Sequence, residues 1–271
     1  MYRCGISMGT VYSIASGKGG TGKTTVVANL GSLLAASGRK TCIIDAELGM
    51  ANLGLILGLE EIPVTLHEVL AGQNDIHEAI YKGPNGVHIV PSGLSLQGFE
   101  RADTERLKDV IEELRGEYEF LIIDSPAGIS RDGVIPLASA DEVILVVTPD
   151  IASIINAIKT KSLTEMVGGR VSGCIVNRFS SATDIINRDH LEKVMDIPII
   201  AILPEDASVR RSSAERTPVT IRYPSSPVSK AFLRLSAEIA GIEYEDEPDI
   251  GRTQKGGLID RLARRLFGGR E

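Results

Sequence analysis

The chain has 271 residues, 43% of them hydrophobic, enough to bury one sizeable α/β core. A formal charge of −7 argues against a surface that coats nucleic acid, and the lack of Trp with few other aromatics argues against base-stacking platforms. The three cysteines, Cys4, Cys42 and Cys174, lie far apart with no C-x-x-C pair, so zinc or iron–sulfur chemistry within one chain has no support.

In chain order, residues 1–9 read as a flexible extension without the apolar stretch of a signal peptide, which places the chain in the cytoplasm. A strand is expected over Val11–Ala15, followed by Gly17-Lys18-Gly19-Gly20-Thr21-Gly22-Lys23-Thr24-Thr25. This run fits Gly-x4-Gly-Lys-Ser/Thr, a loop whose backbone N–H groups wrap nucleotide phosphates. Lys23 can then meet the β/γ-phosphates, and the Thr24 hydroxyl can ligate Mg²⁺. A helix over Thr25–Ser37 would point its N-terminus at the same anion. Further strands are expected at Thr41–Ile44, Val87–Val90, Phe120–Ile123, Val143–Val147, Gly173–Val176 and Ile199–Ile202, all apolar and rich in β-branched residues, as strands buried on both faces should be. Helices are expected at Thr65–Ala71, Thr104–Arg115, Ser153–Met166, Asp184–Met195, Val209–Ala214 and Pro227–Ala240. This alternation predicts an open, mostly parallel sheet with helices on both faces, with no internal repeat. Cys42 and Cys174 fall in apolar strands and read as small core residues.

Carboxylates stand at the C-terminal ends of two of these strands, where ligands sit in open α/β sheets. Asp45 and Glu47 follow the strand ending at Ile44. Asp124 follows Phe120–Ile123 and leads into Ser125-Pro126-Ala127-Gly128. Asn177 and Arg178 follow the strand ending at Val176, and Leu203-Pro204-Glu205-Asp206 follows the next one.

Lys18, directly after the first glycine of the loop, resembles the extra lysine in KGGTGKT, the deviant Walker A sequence of the MinD/ParA group of P-loop ATPases. The resemblance runs from about Val11 to Gly241. It implies ATP and Mg²⁺ as ligands, and a Lys18 that reaches across an ATP-bound homodimer to the partner's phosphates. It gives Asp45 and Asp124 water-mediated contacts to Mg²⁺ and Glu47 the attacking water. It gives Asn177 and Arg178 the adenine, with the backbone at Pro204 and Glu205 lining it. Two positions depart from the family pattern. Glu47 stands where Asp is usual, which moves the carboxylate outward by about one bond length in chemistry sensitive to ~1 Å, so slow turnover is expected. Asn156 replaces a family Asp downstream of Thr148-Pro149-Asp150.

The ATPase domain is expected to span residues 10–241, followed by an acidic linker at 242–256. Residues 257–267 form the second informative segment. At ~100° per residue, Leu258, Ile259, Leu262, Leu266 and Phe267 share one half of a helical wheel, while Asp260, Arg261, Arg264 and Arg265 fill the other. No apolar run reaches the ~18 residues needed to span a bilayer, but such a helix suits an anionic membrane interface. It resembles the membrane-targeting helix of MinD-like proteins, including Leu-Phe-Gly-Gly. The expected function is a MinD-like ATPase that dimerises on ATP, binds membrane reversibly and answers to a regulatory protein, as a spatial regulator of cell division or of flagellum or archaellum placement. The alternative is a ParA-type partitioning ATPase that binds nucleic acid as an ATP dimer, against which the acidic balance and the tail both count.

Overall fold

The computed structural model describes residues 8–49, 51–59, 62–93, 95–128, 131–180 and 188–243. The strands are β1 (Thr10–Ser16), β2 (Thr41–Asp45), β3 (Tyr81–Lys82), β4 (His88–Val90), β5 (Phe120–Ala127), β6 (Glu142–Val147), β7 (Val171–Phe179) and β8 (Ile199–Pro204). They form one sheet in the order β3-β4-β2-β5-β1-β6-β7-β8. All pairings are parallel except β3 with β4. The chain first builds outward from β1 through β2 and β4. It then returns as β5 beside β1 and continues to the other side with β6. The reversal makes the C-terminal ends of β1, β2 and β5 a topological switch point, the place where open parallel sheets bind ligands.

The helices are α1 (Lys23–Ala36), α2 (Leu53–Ile56), α3 (Leu66–Leu70), α4 (Leu96–Arg101), α5 (Leu107–Arg115), α6 (Arg131–Ser139), α7 (Ile151–Met166), α8 (Arg188–Met195), α9 (Ala207–Ala214), α10 (Val219–Arg222) and α11 (Pro227–Ala240). They cover both faces of the sheet, because successive strand residues point to opposite sides. Ile14, Ile43, Ile122 and Ile144 pack with α1 and α11 residues such as Leu30, Leu34, Phe232 and Leu235. Val11, Cys42, Ile44 and Ile123 pack on the other face with Leu66, Ile111 and Leu114. Farther along that face, Leu145, Cys174 and Val176 pack with Leu137, Ala157 and Leu191. Cys42 and Cys174 are buried free thiols of this core.

Local capping sets the helix starts. Thr65 and Glu68 form a reciprocal capping box at α3. The Asp150 carboxylate accepts from Ser153 N at 2.9 Å to open α7, and Ser226 with Pro227 opens α11, which closes on Gly241.

Six elements differ from the sequence expectation, the short helix α4 (Leu96–Arg101) among them. Strand β3 is a two-residue antiparallel edge, too short for a periodic signal. Helices α2 and α10 are single turns. Helix α6 contains Gly133 and Pro136, which lower helix propensity, yet it forms with Leu137 buried. Strand β5 runs past Asp124 to Ala127. Its register against β1 goes from Ile14↔Asp124 to Ser16↔Ala127, so Ser125 and Pro126 together face the single residue Ala15. This bulge accommodates a proline that has no N–H for the ladder. The region 257–267, and the linker beyond Glu243, lie outside the described residues. Among the described residues, no helix is long and apolar enough to cross a membrane.

Candidate functional site

The loop between β1 and α1 is shaped by its glycines and braced from two sides. Gly22 caps α1 in the left-handed region, at φ 94, and a Cβ there would fall 2.2 Å from Asn177 Nδ2. Gly17 lies against α7, where a Cβ would meet the Asn156 carbonyl at 2.4 Å. The Ser16 hydroxyl donates to Lys18 O at 2.8 Å, and Asn177 Nδ2 donates to Thr21 O at 2.7 Å. The N-terminus of α1 has no side-chain cap and no acidic residue in its first turn. Its free N–H groups and dipole are therefore available to an anion. Lys23 and Thr24 belong to that first turn, two residues earlier than the sequence pattern suggests, and Lys23 is buried.

Asp45 and Asp124 are register partners on adjacent strands, and each is 1% exposed. Two buried carboxylates in such proximity raise one another's proton affinity. Burial, then the charge of Asp124, pushes the Asp45 carboxyl well above the usual range, against the Glu47 and Leu53 amides that pull it down. Those amides donate to Asp45 Oδ1 at 3.2 Å and Oδ2 at 3.4 Å. Burial raises Asp124 to about 6, opposed by the Lys23 charge and the Thr24 hydroxyl. Even so, neither buried oxygen of Asp124 accepts a hydrogen bond of ordinary geometry. Orphaned carboxylate oxygens beside a threonine hydroxyl form a hard-oxygen donor set, and this set fits a Mg²⁺ ion with bound waters. The residues present suit the metal that the loop sequence implies.

The remaining candidate residues hold contacts of their own. Glu47 Oε2 accepts from Ala127 N at 3.2 Å, joining the segment after β2 to the end of β5. Gly128 N donates to Ser16 O at 2.9 Å, which ties the same end of β5 to β1. Lys18 Nζ bonds both oxygens of Asp150 in its own chain, at 3.0 and 2.8 Å. Despite partial burial, that ion pair, the Thr148 hydroxyl and the Ser153 amide hold Asp150 down at about 2. Asn177 Oδ1 accepts from Arg178 N at 3.0 Å, with Arg178 itself in the left-handed region at φ 59. Glu205 N donates to Phe179 O at 2.8 Å, so the end of β8 stands beside the end of β7, where Asn177 and Arg178 lie. The structure thus brings Gly17, Lys18, Gly19, Gly20, Thr21, Gly22, Lys23, Thr24 and Thr25 together with Asp45, Glu47 and Asp124 at one end of the sheet. Asn177, Arg178, Pro204 and Glu205 follow at the ends of β7 and β8. Sequence reasoning missed Asp150 as the partner of Lys18. Asp-x-x-Ser before a helix signals an N-cap, but nothing in it points to a lysine 132 positions away.

The sequence matches the CobQ/CobB/MinD/ParA nucleotide binding domain family over residues 12–219. The chain belongs to the MinD/ParA family of P-loop ATPases. An uncharacterised ATP-binding protein of Methanocaldococcus jannaschii is 44% identical, covering 97% of this chain and 98% of that one. The septum site-determining protein MinD of Thermotoga maritima is 34% identical, covering 94% and 96%. Among solved structures, MinD of Pyrococcus horikoshii complexed with Mg-ADP superposes with a TM-score of 0.82 at 38% identity, over 86% of this chain and 96% of that one. The loop at Gly17–Thr25 and the Asp45–Asp124 pair of this chain thus lie at the switch point that the strand order creates.

Proposed function

We propose that this chain is a MinD-like ATPase whose cofactors are ATP and Mg²⁺, and which uses slow hydrolysis to cycle on and off an anionic membrane. The observation that carries this reading is the buried Asp45–Asp124 pair, with both Asp124 oxygens unsatisfied, facing the first turn of α1. Lys23 and the α1 N-terminus hold the phosphates, and Thr24, Asp45 and Asp124 hold the metal. Bound Mg²⁺ supplies charge neutralisation on the transferring phosphoryl group. Glu47 orients the attacking water once its carboxylate leaves the Ala127 amide. Asn177 and Arg178, with the backbone at Pro204 and Glu205, hold the adenine.

Lys18 acts in the dimer. In the single chain it is held by Asp150 as a half-exposed pair, the kind of contact worth only ~0.2–1 kcal/mol. A partner's phosphates compete easily with so weak a bond. Ile151 and Ile155, exposed on α7 next to Asp150, give the second copy apolar surface to cover. Pairing two chains also pairs two copies of residues 257–267. One short amphipathic helix binds lipid marginally, whereas two linked copies gain by effective concentration. Nucleotide state then sets membrane residence, which suits a spatial regulator of division or of flagellum or archaellum placement, working with a regulatory protein partner.

The test is co-sedimentation with anionic vesicles in ATP, ADP or no nucleotide, alongside phosphate release. The expected result is ATP-dependent sedimentation that Leu262→Glu abolishes without changing ATP affinity. Equal sedimentation of parent and variant overturns the membrane role, and vesicle binding indifferent to nucleotide overturns the switch.

A further inference from the structure

The segment that carries Asp45 and Glu47 is pinned at a third point, by a residue outside every motif of the site. His67, on α3, is 1% exposed. Its Nε2 lies 3.1 Å from Leu48 O, with Ser92 Oγ at 3.4 Å, and Gly93 and Gly98 wall the ring. A carbonyl can only accept, so Nε2 carries the hydrogen. Burial favours the neutral ring, outweighing the pull of the Leu48 carbonyl and Glu68. Leu48 is the residue next to Glu47, and its side chain is buried among Leu66, Leu70 and Ile44. Glu47 therefore sits between two fixed points. On one side its own N–H bonds Asp45; on the other the Leu48 carbonyl is held by His67. The longer Glu47 side chain has one more rotatable bond than Asp, so where its backbone is held matters more for where its carboxylate ends.

We infer that His67 is a positioning residue for Glu47, fixing the backbone at Leu48 so that the carboxylate addresses the Ala127 amide at rest and the attacking water in turnover. The inference rests on the ATPase reading above, and it acts through a hydrogen bond rather than through contact with substrate.

The full-length protein is compared with His67→Asn, whose amide stops short of the Nε2 position, and with His67→Gln, whose amide reaches it. Two readouts are taken: steady-state ATP hydrolysis, and hydrogen exchange at the Ala127 amide without nucleotide. His67→Asn is expected to lower kcat about tenfold with KM for ATP within about twofold, and to speed Ala127 exchange. His67→Gln is expected to restore kcat to within about threefold of the parent and to restore protection. In a Glu47→Gln background, His67→Asn should cost nothing further, because both changes act on one group. Equal kcat and exchange in parent and His67→Asn, equal losses in the two variants, or additive losses with Glu47→Gln overturns the inference. Where the shorter amide does not fold, His67→Gln alone decides: a loss of tenfold or more counts against the hydrogen bond, and a near-parent rate with normal protection supports it. A parent without hydrolysis overturns the ATPase reading instead, and the exchange readout still decides whether His67 fixes Glu47.

Discussion

The two ends of the central strands treat charge in opposite ways. At their N-terminal ends, charges are matched: Arg115 bonds Asp141 at 2.6 Å, Asp141 also accepts from Val11 N at 2.9 Å, and Arg39 bonds Glu119 at 3.0 Å while Glu119 accepts from Lys40 N at 3.1 Å. At the C-terminal ends, Asp45 and Asp124 face each other across β2 and β5, with the Asp124 oxygens unsatisfied. The same sheet is held together at one end and left electrostatically incomplete at the other. Incompleteness is costly without ligand, and it becomes useful where a ligand supplies the missing charge.

The strongest way to break this contrast is Lys23→Ala, which should weaken ATP binding by more than about 100-fold through loss of a buried charge-assisted contact. Titration with a fluorescent ATP analogue measures it, and near-parent affinity would remove Lys23 from the phosphate site. Asp124→Asn sharpens it from the other side. With Asp124 raised to about 6, the folded chain holds a proton between about pH 4 and 6 that the unfolded chain has lost. Stability therefore falls as pH rises through that window and stays lower above it. Neutralising the site should stabilise the nucleotide-free protein at pH 7 by about 2–3 kcal/mol and flatten the acid limb, while removing Mg²⁺-dependent hydrolysis; urea unfolding at pH 4, 5, 6 and 7 reads it.

Arg115→Leu is the mirror experiment at the matched end. It should destabilise by about 1–3 kcal/mol, by leaving Asp141 without its cation, with ATP affinity unchanged. Asp150→Asn keeps a good N-cap for α7 while discharging the Lys18 pair. It should alter stability by less than about 1 kcal/mol, yet lower the ATP concentration needed for dimers, as light scattering would show. The smallest effect belongs to exposed His77, which Glu117 and then Asp75 raise to about 9. Its contribution is complete below about pH 6.5 and lost as pH rises through about 9. His77→Ala should flatten thermal stability between about pH 6.5 and 9 by about 1–3 °C.

The sheet was legible because Ile43, Ile44, Ile122, Ile123 and their counterparts are buried from both sides, which demands unbroken apolar runs. The phosphate loop was legible because its chemistry needs contiguous residues. Asp45 and Asp124 were legible because each ends such a run. The pairings Lys18–Asp150 and His67–Leu48 were not, since they join residues that only the crossover connections bring together. The β5 bulge was hidden for a different reason: Pro126 reads as the end of a strand unless its partner strand is known. Helix α6 carries Gly133 and Pro136 and forms through packing that propensity does not register.

The contact between Gly17 and α7 also bears on how this protein can vary. A Cβ at Gly17 would fall 2.4–2.5 Å from the Asn156 main chain and Cβ, and only the Cβ among these atoms would be missing from a glycine at 156. The tight fit at Gly17 is therefore against the main chain and Cβ at 156, while Ile151 and Ile155 face outward on α7. Substitutions along this exposed face leave in place the atoms that Gly17 packs against. The seat of the phosphate loop and the outward face of α7 are thus neighbours in space built from different atoms.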